Sequence, residues 1–531
     1  MAERPRFADL GSLLRHQAAQ RGGQTALIDR DRPISYAELE QASARLAGGL
    51  ARLGVEPGDR VALWLPNLSA WLVSFLACCR LGAIAVSVNT RFRSVEVADI
   101  VGRAACSVLL YWPDFKGIAF VDILAGIGRE QLPALRHIVA YEEGAALQEQ
   151  VLGLPQHRYA ELAAAEPLDR VSGNAPCIIF TTSGTTRAPK FVLHDQAGLL
   201  HHARDTAEAF GYEAADTVIL VTAPLCGVFG FCNAMAAFYA GRPLVMTPVF
   251  DAGQLASAIV RYQVTHTNAT NDAIAQLLAQ RPDAERPFPS ARVFGFANFT
   301  PGYDKLVAEA QARGLRLVGL YGSSELQALL ARQPEHASVD ERQQAGGVLA
   351  AADGRVRAVD PQTRQELAPG VAGELEFQVP SRMREYYGNP AAMREAVSED
   401  GWFRSGDLGY TVNERRFVFL SRLGDALRLG GFLVNPLEIE ETLQELPGIV
   451  GCQVVGVDVD GATRPVAFVI AAADAGLDES TLIAHCHRRL AKFKAPLRVF
   501  QVQEFPVTPG ANASKVQKNR LRDLALELLR R

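Results

Sequence analysis

The chain has 531 residues, of which 48% are hydrophobic and 21% are charged, as is usual for a globular protein. Its net charge of −4 and the lack of a long basic run argue against nucleic acid as the main partner. The length exceeds what one hydrophobic core usually holds, so two or more domains are expected.

The eight cysteines are scattered and form no C-x-x-C pair. This pattern favours free thiols in a reducing compartment over a disulfide scaffold. The N-terminal segment also lacks the apolar core of a signal peptide. Together these features predict a cytoplasmic protein.

The first strong local signal is the capping box Ser35-Tyr36-Ala37-Glu38, which predicts the start of a helix. A turn at residues 54–59, a strand at 61–65 and a buried helix at 70–81 are expected to follow. Short apolar runs then recur between helical patterns, at residues 83–88, 107–112, 218–222, 243–246 and 315–320. Such alternation indicates an α/β fold with largely parallel sheets.

A polar loop follows the apolar run at residues 177–180. It reads Thr181-Thr182-Ser183-Gly184-Thr185-Thr186, and Lys190 comes four residues later. Backbone N–H groups, hydroxyls and an ammonium can surround phosphate oxygens. The loop is not a Walker loop, because Pro189 stands where the second glycine belongs.

Residues 217–241 carry no charge over 25 positions, which is long enough for a membrane span. Pro224, Gly227, Gly230 and Asn233 interrupt the run. A strand, a turn and a buried helix are therefore predicted, and no integral membrane span.

The pattern becomes rich in β-strands after about residue 355. Beyond residue 425 it predicts a compact α+β unit with strands at 453–457 and 465–471 and a helix at 479–490. The stretch from Lys515 to Arg531 reads as an amphipathic helix.

Five further segments place polar residues in apolar or glycine-rich surroundings. They are Gly319-Leu320-Tyr321-Gly322-Ser323-Ser324-Glu325, Trp402-Phe403-Arg404-Ser405-Gly406-Asp407-Leu408-Gly409, Ser421-Arg422-Leu423-Gly424-Asp425, the glycine-rich run 428–440 and the loop 505–518 that ends near Lys515 and Lys518.

In this order and spacing, the Thr/Ser loop and these segments resemble the acyl-adenylate-forming superfamily, from Ser35 to about Leu524. The resemblance implies an α/β N-terminal domain, residues 1–425, with layered sheets and a small β subdomain. It also implies a small mobile α+β C-terminal domain, residues 426–531, with the active site between the two.

The resemblance further implies a two-step reaction that uses ATP, Mg²⁺ and CoA. A carboxylate attacks the α-phosphorus of ATP to give acyl-AMP and pyrophosphate. The thiol of CoA then attacks the mixed anhydride and releases AMP.

Residue roles come from the same resemblance. The phosphate loop would hold the β- and γ-phosphates through Thr182, Ser183, Gly184, Thr185, Thr186 and Lys190. Tyr321 would stack on adenine, and Ser324 would contact the phosphate or the substrate carboxylate. Glu325 would bind Mg²⁺, a hard cation that prefers oxygen ligands.

The remaining roles concern the ribose and the C-terminal domain. Asp407 would accept hydrogen bonds from both ribose hydroxyls, and Arg422 would donate to the ribose. Lys515 would stabilise charge in the adenylation transition state. Asp425 would be the hinge whose rotation replaces Lys515 in the site by the segment that contains Arg428, Gly430 and Gly431.

Two residues of the phosphate loop depart from the pattern of the superfamily. Arg187 and Phe191 both stand where glycine is usual. Arg187 removes an easy positive φ but adds a cation, so we hypothesise that it contacts pyrophosphate.

The segment 223–241 lacks the aspartate that pairs with the substrate amine in amino-acid-activating relatives. Four phenylalanines, Phe229, Phe231, Phe296 and Phe299, fall in segments that line the acyl pocket in the superfamily. They predict an apolar substrate, medium-chain or aromatic, although each of them also suits plain core packing.

Three functions remain open at this stage. An AMP-forming acid–CoA ligase is favoured, because no carrier-protein domain follows Arg531. The alternatives are a standalone adenylating enzyme that loads a separate carrier protein and a divergent nucleotide-binding protein. The acid, the oligomeric state and the pathway cannot be derived from these residues.

Overall fold

The computed structural model describes residues 7–141, 147–170, 173–182, 189–298, 303, 305–425, 427–429, 432–459, 462–472, 476, 478–508 and 515–530. Within these ranges the chain is a mixed α/β protein with two large sheets and a smaller C-terminal α+β unit.

The first third of the chain alternates helices and strands, as its apolar runs predict. Its elements are α1 (Leu10–Arg21), β1 (Thr25–Asp29), β2 (Arg32–Ser35), α2 (Tyr36–Arg52), β3 (Arg60–Trp64), α3 (Ser69–Leu81), β4 (Ile84–Ser87), α4 (Ser94–Arg103), β5 (Val108–Tyr111), α5 (Phe120–Ala125), β6 (His137–Ala140), β7 (Gln150–Val151), β8 (Leu154–Arg158) and α6 (Tyr159–Leu162). The Ser35 side chain caps α2 with Glu38 as its reciprocal partner, so the predicted capping box is confirmed.

The middle of the chain continues this alternation. Its elements are β9 (Pro176–Thr181), β10 (Phe191–Asp195), α7 (Gln196–Ala209), β11 (Ile219–Val221), α8 (Val228–Ala240), β12 (Leu244–Met246), α9 (Ala252–Arg261), β13 (His266–Thr270), α10 (Asn271–Ala279), β14 (Val293–Ala297), α11 (Leu306–Ala312), β15 (Leu317–Ser323), β16 (Gln327–Arg332), α12 (Val339–Gln343) and β17 (Gly346–Leu349). The uncharged run 217–241 is therefore a strand and a buried helix, as predicted. Among the described helices, none is long and apolar enough to cross a bilayer.

The last third is richer in strands. Its elements are β18 (Arg355–Val359), β19 (Gly373–Gln378), β20 (Glu385–Tyr386), α13 (Pro390–Ala396), β21 (Phe403–Asn413), β22 (Arg416–Arg422), β23 (Leu427–Leu429), β24 (Phe432–Val434), α14 (Pro436–Gln444), β25 (Ile449–Val459), β26 (Ala462–Ala471), α15 (Glu479–Arg489), β27 (Arg498–Gln501), β28 (Val507–Thr508), β29 (Lys515–Val516) and α16 (Lys518–Arg530). Single 3₁₀ turns lie at Phe115–Gly117, Arg129–Gln131, Leu423–Asp425 and Lys492–Lys494.

One large sheet has the strand order β20-β10-β9-β4-β3-β5-β6-β8-β7 within the described residues. Its centre, from β9 to β8, is parallel, and its buried strands read as continuous apolar runs. The other large sheet has the order β18-β19-β21-β22-β17-β16-β15-β14-β13-β11-β12-β1-β2. It is parallel from β15 to β1 and antiparallel from β15 to β18. The prediction of largely parallel sheets thus holds for the centre of the first sheet and for one half of the other.

Hydrophobic clusters divide the described chain at about residue 425. Two clusters consist only of residues from 427 onward, and they are centred on β25, β26, α14 and α16. The other clusters contain no residue beyond Phe419. The C-terminal residues therefore bury their apolar side chains among themselves.

Candidate active site

The polar loop joins two antiparallel strands, and does not lead from a strand into a helix. In the β9–β10 hairpin, Thr181 is the partner of Phe191. At the neck of the loop the N–H of Thr182 donates to the carbonyl of Lys190 at 3.0 Å, and the N–H of Lys190 donates to Thr182 Oγ1 at 3.2 Å. The hairpin thus holds Thr182 and Lys190 side by side.

Phe191, which replaces a usual glycine, begins β10 and packs into a hydrophobic core with 3% of its surface exposed. The guanidinium of Arg103 lies 4.2 Å from its ring centre. Arg103 also donates to the carbonyl of Pro189 at 3.0 Å and pairs with Asp99 at 2.6 Å. Through its contacts with Phe191 and Pro189, Arg103 therefore connects α4 to the end of the polar loop.

Tyr321, Asp407 and Arg422 meet in what we call the Asp407 cluster. Asp407 on β21 is the cross-strand partner of Arg422 on β22, and Arg422 Nη1 lies 3.0 Å from Asp407 Oδ1. The Tyr321 hydroxyl donates to Asp407 Oδ2 at 2.5 Å. Asp407 is only 2% exposed. Burial, and next the charge of Asp407, raise the pKa of Tyr321, so the hydroxyl stays protonated and donates.

The ring of Tyr321 packs in a cluster of aromatic side chains. It stacks on Phe377 with ring centres 5.4 Å apart and meets Phe417 edge-on at 5.0 Å. An adenine stacked on Tyr321 would have to use the ring face that points away from Phe377.

Glu325, Tyr386 and Lys190 form a second group, the Glu325 cluster. The Tyr386 hydroxyl donates to Glu325 Oε1 at 2.9 Å, and Lys190 Nζ lies 4.6 Å from the centre of the Tyr386 ring. The two clusters are neighbours, because Tyr321 on β15 and Glu325 in the turn that follows it are four residues apart in the chain. Sequence reasoning missed Tyr386, whose only signal is a tyrosine pair before Gly388.

The turn that carries Ser324 and Glu325 is held through its backbone. His194 Nε2 donates to the carbonyl of Ser324 at 2.8 Å, and the N–H of Met383 donates to that of Glu325 at 2.6 Å. Burial lowers the pKa of His194, so the ring is neutral at pH 7 and its one N–H serves this bond.

Directly after this turn the backbone is strained. Gln327 and Leu329 have φ of 67° and 63°, a region that non-glycine residues avoid at a cost of about 1–3 kcal/mol each. Buried side chains hold the segment: Gln327 donates to the carbonyl of Ser381 at 3.2 Å, and His202 donates to that of Ala328 at 2.6 Å. Strain of this kind is typical of functional sites.

At two positions of the site motifs, the structure explains why the residue is glycine. Gly406, just before Asp407, has a φ of 66°, which favours glycine. A Cβ on Gly319 would lie 1.9 Å from the carbonyl oxygen of Gln344. Gly319 therefore lets β15 pass close to the chain that leads from α12 to β17.

Gly319→Ala is expected to lower the free energy of unfolding by about 2 kcal/mol, because the added methyl group must push two backbones apart. Denaturant unfolding measures this change. Gly23→Ala is the control, since nothing lies within 4 Å of its added Cβ. Equal stability of the two variants would contradict the close approach seen at Gly319.

The three described acyl-pocket phenylalanines do not form one group. Phe231 is fully buried against Phe75 and Phe180, with ring centres 4.9 and 5.3 Å away. Phe229, 5% exposed, belongs to the same hydrophobic cluster. Phe296 is buried in a different cluster, on the opposite face of the larger sheet.

Several predicted site residues lie outside the described part of the chain. They are Ser183, Gly184, Thr185, Thr186, Arg187, Phe299, Gly430 and Gly431. For Lys515, on β29, and Arg428, on β23, the structure describes the backbone alone. Asp425 ends a 3₁₀ turn after β22, and its Oδ1 accepts a bond from Arg522 of α16 at 3.3 Å.

Comparison with known proteins places this geometry in a family. The model of the AMP-binding enzyme family matches residues 14–387, and that of the AMP-binding enzyme C-terminal domain matches residues 438–511. A relative from Mycobacterium tuberculosis H37Rv, 3-[(3aS,4S,7aS)-7a-methyl-1,5-dioxo-octahydro-1H-inden-4-yl]propanoyl:CoA ligase, is 31% identical over 94% of this chain and 96% of its own. The feruloyl-CoA synthase of an Amycolatopsis species is 30% identical over 96% of each chain.

The fold agrees with these matches. The solved structure of the anthranilate CoA ligase AuaEII, in complex with anthranoyl-AMP, superposes with a TM-score of 0.84 over 99% of each chain, at 23% identity. The expected adenylate-forming fold is therefore confirmed. The chain belongs to the AMP-binding enzyme family and is an AMP-forming acid–CoA ligase.

Proposed function

We propose that this enzyme activates an apolar carboxylic acid, medium-chain or aromatic, and transfers its acyl group to CoA. In the first step a carboxylate oxygen bonds to the α-phosphorus of ATP, and the bond to pyrophosphate breaks. In the second step the sulfur of CoA bonds to the acyl carbon, AMP leaves and the thiol proton is released. The observation that carries the proposal is the adjacency of the Asp407 and Glu325 clusters.

The Asp407 cluster suits a nucleoside. Asp407 is a buried carboxylate in which Oδ2 accepts from the Tyr321 hydroxyl and Oδ1 forms an ion pair with Arg422, and two vicinal ribose hydroxyls are matching donors for these two oxygens. Arg422 keeps its side chain 55% exposed and can donate to the same sugar. The Tyr321 ring would then bear the adenine.

The Glu325 cluster suits the phosphates. Lys190 stands at the neck of a loop that is rich in hydroxyl groups, where a cation and N–H groups stabilise the charge on departing pyrophosphate. The Glu325 carboxylate is an oxygen donor beside this loop, as Mg²⁺ requires. When bound, Mg²⁺ would neutralise phosphate charge there. Ser324 and Lys515 complete the group that we assign to the reacting carboxylate and the α-phosphate.

The nature of helix α8 supports an apolar acid. No charged residue occurs between Ala223 and Gly241, and the helix is buried along nearly its whole length. Cys232 Sγ lies 3.8 Å from Gln327 Oε1, so α8 packs against the start of β16, just after Glu325. An acid whose carboxylate reaches Glu325 would thus place its tail along this helix.

We also propose the division into domains 1–425 and 426–531, with Asp425 as the hinge. The separate hydrophobic clusters on either side of residue 425 support this division. Among the described residues, α16 contacts the hinge turn through Arg522, whose Nη2 donates to the Gly424 carbonyl at 2.8 Å and reaches Asp425 Oδ1. Rotation there would exchange Lys515 for the Arg428–Gly431 segment between the two steps.

A direct test measures pyrophosphate release with a panel of acids, with and without CoA, and identifies thioesters by mass spectrometry. We expect octanoate or phenylacetate to give both pyrophosphate and an acyl-CoA, and phenylalanine and succinate to give neither, because a buried ammonium or second carboxylate would have no partner on α8.

The alternatives give different results. Acid-dependent pyrophosphate exchange without CoA turnover would indicate an enzyme that loads a carrier protein. No pyrophosphate release and no thioester with any acid of the panel, despite ATP binding, would indicate a divergent nucleotide-binding protein. Faster turnover of phenylalanine or succinate than of the apolar acids would contradict the substrate class proposed here.

A further inference from the structure

Tyr386 touches two residues of the proposed site with two different parts of its side chain. Its hydroxyl donates to the carboxylate of Glu325 at 2.9 Å. Its ring lies under the ammonium of Lys190, 4.6 Å from Nζ. Glu325 and Lys190 are 135 positions apart in the printed sequence, and Tyr386 is the side chain that links them.

The position of Tyr386 is well determined by the backbone. Strand β20 pairs with β10, and Tyr386 is the partner of Val192. The N–H groups of Arg384 and Tyr387 donate to the carbonyls of Leu193 and Phe191, each at 2.8 Å. The strand that follows the phosphate loop, β10, therefore holds in place the strand that carries Tyr386.

The side chain is buried as well, with 4% of its surface exposed. The phenol keeps its proton near neutral pH, far below the ordinary pKa of tyrosine, and an ionised carboxylate offers only acceptors. It can therefore only donate to Glu325. Among the described residues, it is also the one hydrogen-bond donor to that carboxylate.

Glu325 needs such a support because it lies in the short turn between β15 and β16. A glutamate in a turn has free rotamers, and fixing them costs entropy whenever a ligand binds. A hydrogen bond to one carboxylate oxygen fixes the side chain and leaves the other oxygen available. Lys190 is exposed, and its ammonium lies over the ring of Tyr386, the same side chain whose hydroxyl bonds Glu325.

We propose that Tyr386 is a positioning residue of the adenylation step: its hydroxyl orients Glu325 toward Mg²⁺, and its ring orients Lys190 toward the terminal phosphates of ATP. The proposal rests on the function proposed above and assigns to one side chain the alignment of the metal and phosphate contacts. Because the hydroxyl and the ring of Tyr386 have different roles, substitutions can test the two roles separately.

Tyr386→Phe removes the hydroxyl and keeps the ring. We expect the Mg²⁺ concentration for half-maximal acyl-AMP formation to rise about tenfold, the usual effect of losing a hydrogen bond to a charged group. Binding of ATP in the absence of Mg²⁺, measured by calorimetry, is expected to stay unchanged. Binding of ATP with Mg²⁺ is expected to weaken, and this second readout requires no turnover.

Tyr386→Leu removes both groups. In addition to the Mg²⁺ effect, it is expected to weaken metal-free ATP binding about threefold, since Lys190 loses its cation–π contact. In Glu325→Gln, adding Tyr386→Phe is expected to cause no further change in Mg²⁺ dependence, because both act through one carboxylate.

The matched control is Tyr387→Phe, because the neighbouring tyrosine packs partly buried against another hydrophobic cluster. It is expected to leave Mg²⁺ dependence unchanged. An unchanged Mg²⁺ dependence in Tyr386→Phe, with wild-type acyl-AMP formation intact, would overturn the inference. Equal weakening of ATP binding with and without Mg²⁺ would also overturn it, since that outcome indicates a merely structural role. Failure of the wild-type enzyme to form any acyl-AMP would instead count against the proposed function, and the calorimetric comparison would still decide the role of Tyr386.

Discussion

Lys515→Ala is expected to slow acyl-AMP formation by about a hundredfold or more, and to leave thioester formation from supplied acyl-AMP within about threefold of wild type. The reason is that Lys515 offsets negative charge only while the carboxylate attacks the α-phosphate. The second step starts from an adenylate that has already lost pyrophosphate. The two steps can be measured separately, by pyrophosphate release and by thioester formation from synthetic acyl-AMP.

The control for this experiment is Lys492→Ala, which removes an exposed lysine from the same region of the chain. It should leave both steps unchanged. Similar losses in both steps of Lys515→Ala would contradict a rotation at Asp425 that withdraws Lys515 before CoA reacts. Asp425→Pro, which stiffens the hinge itself, is expected to slow thioester formation from acyl-AMP and to leave acyl-AMP formation unchanged.

Asp407→Ala is the second large effect that we expect. It should lower kcat/KM for ATP by about a hundredfold, equivalent to about 2.7 kcal/mol, because it removes the proposed ribose acceptor and leaves two donors without their partner. These donors are the hydroxyl of Tyr321 and the guanidinium of Arg422. The kcat/KM for CoA, measured with synthetic acyl-AMP at saturating concentration, should change much less.

Two comparisons make this prediction specific. Asp400→Ala removes an exposed carboxylate near β21, and it should leave the ATP kinetics unchanged. Tyr321→Phe removes one of the two donors and keeps the ring, so its loss should be smaller than that of Asp407→Ala. A kcat/KM for ATP in Asp407→Ala that stays within about twofold of wild type would exclude Asp407 as a nucleoside ligand.

Local sequence signals predicted the secondary structure of the chain closely. The capping box at Ser35 opens α2, the apolar runs are strands, and the helix expected at 479–490 is Glu479–Arg489. These features depend on residues within a few positions of each other, through hydrogen bonds and periodic burial. The resemblance of the motifs likewise predicted the family, because each motif is a short contiguous segment.

The phosphate loop shows where local signals stop. Its composition indicated a phosphate site after a strand, and the strand is β9. The sequence did not predict that the chain after the loop forms β10, antiparallel to β9, or that the ring of Phe191 packs under Arg103. An apolar residue that follows a proline and a lysine does not reveal which strand it will pair with, because pairing depends on the whole sheet.

By itself, then, the sequence determined the elements, the family and the set of polar residues from which the site is built. Only the tertiary structure decided which of them meet. The hydroxyl of Tyr321 donates a hydrogen bond to Asp407, which is 86 positions away in the chain, and the hydroxyl of Tyr386 donates one to Glu325, which is 61 positions away. Such contacts arise because folding brings together segments that are distant in the chain: β15 and β21 lie in one large sheet, whereas Glu325 and Tyr386 come from the two different sheets. No periodicity or motif records that pairing, which is why Tyr386 became visible only in the folded chain.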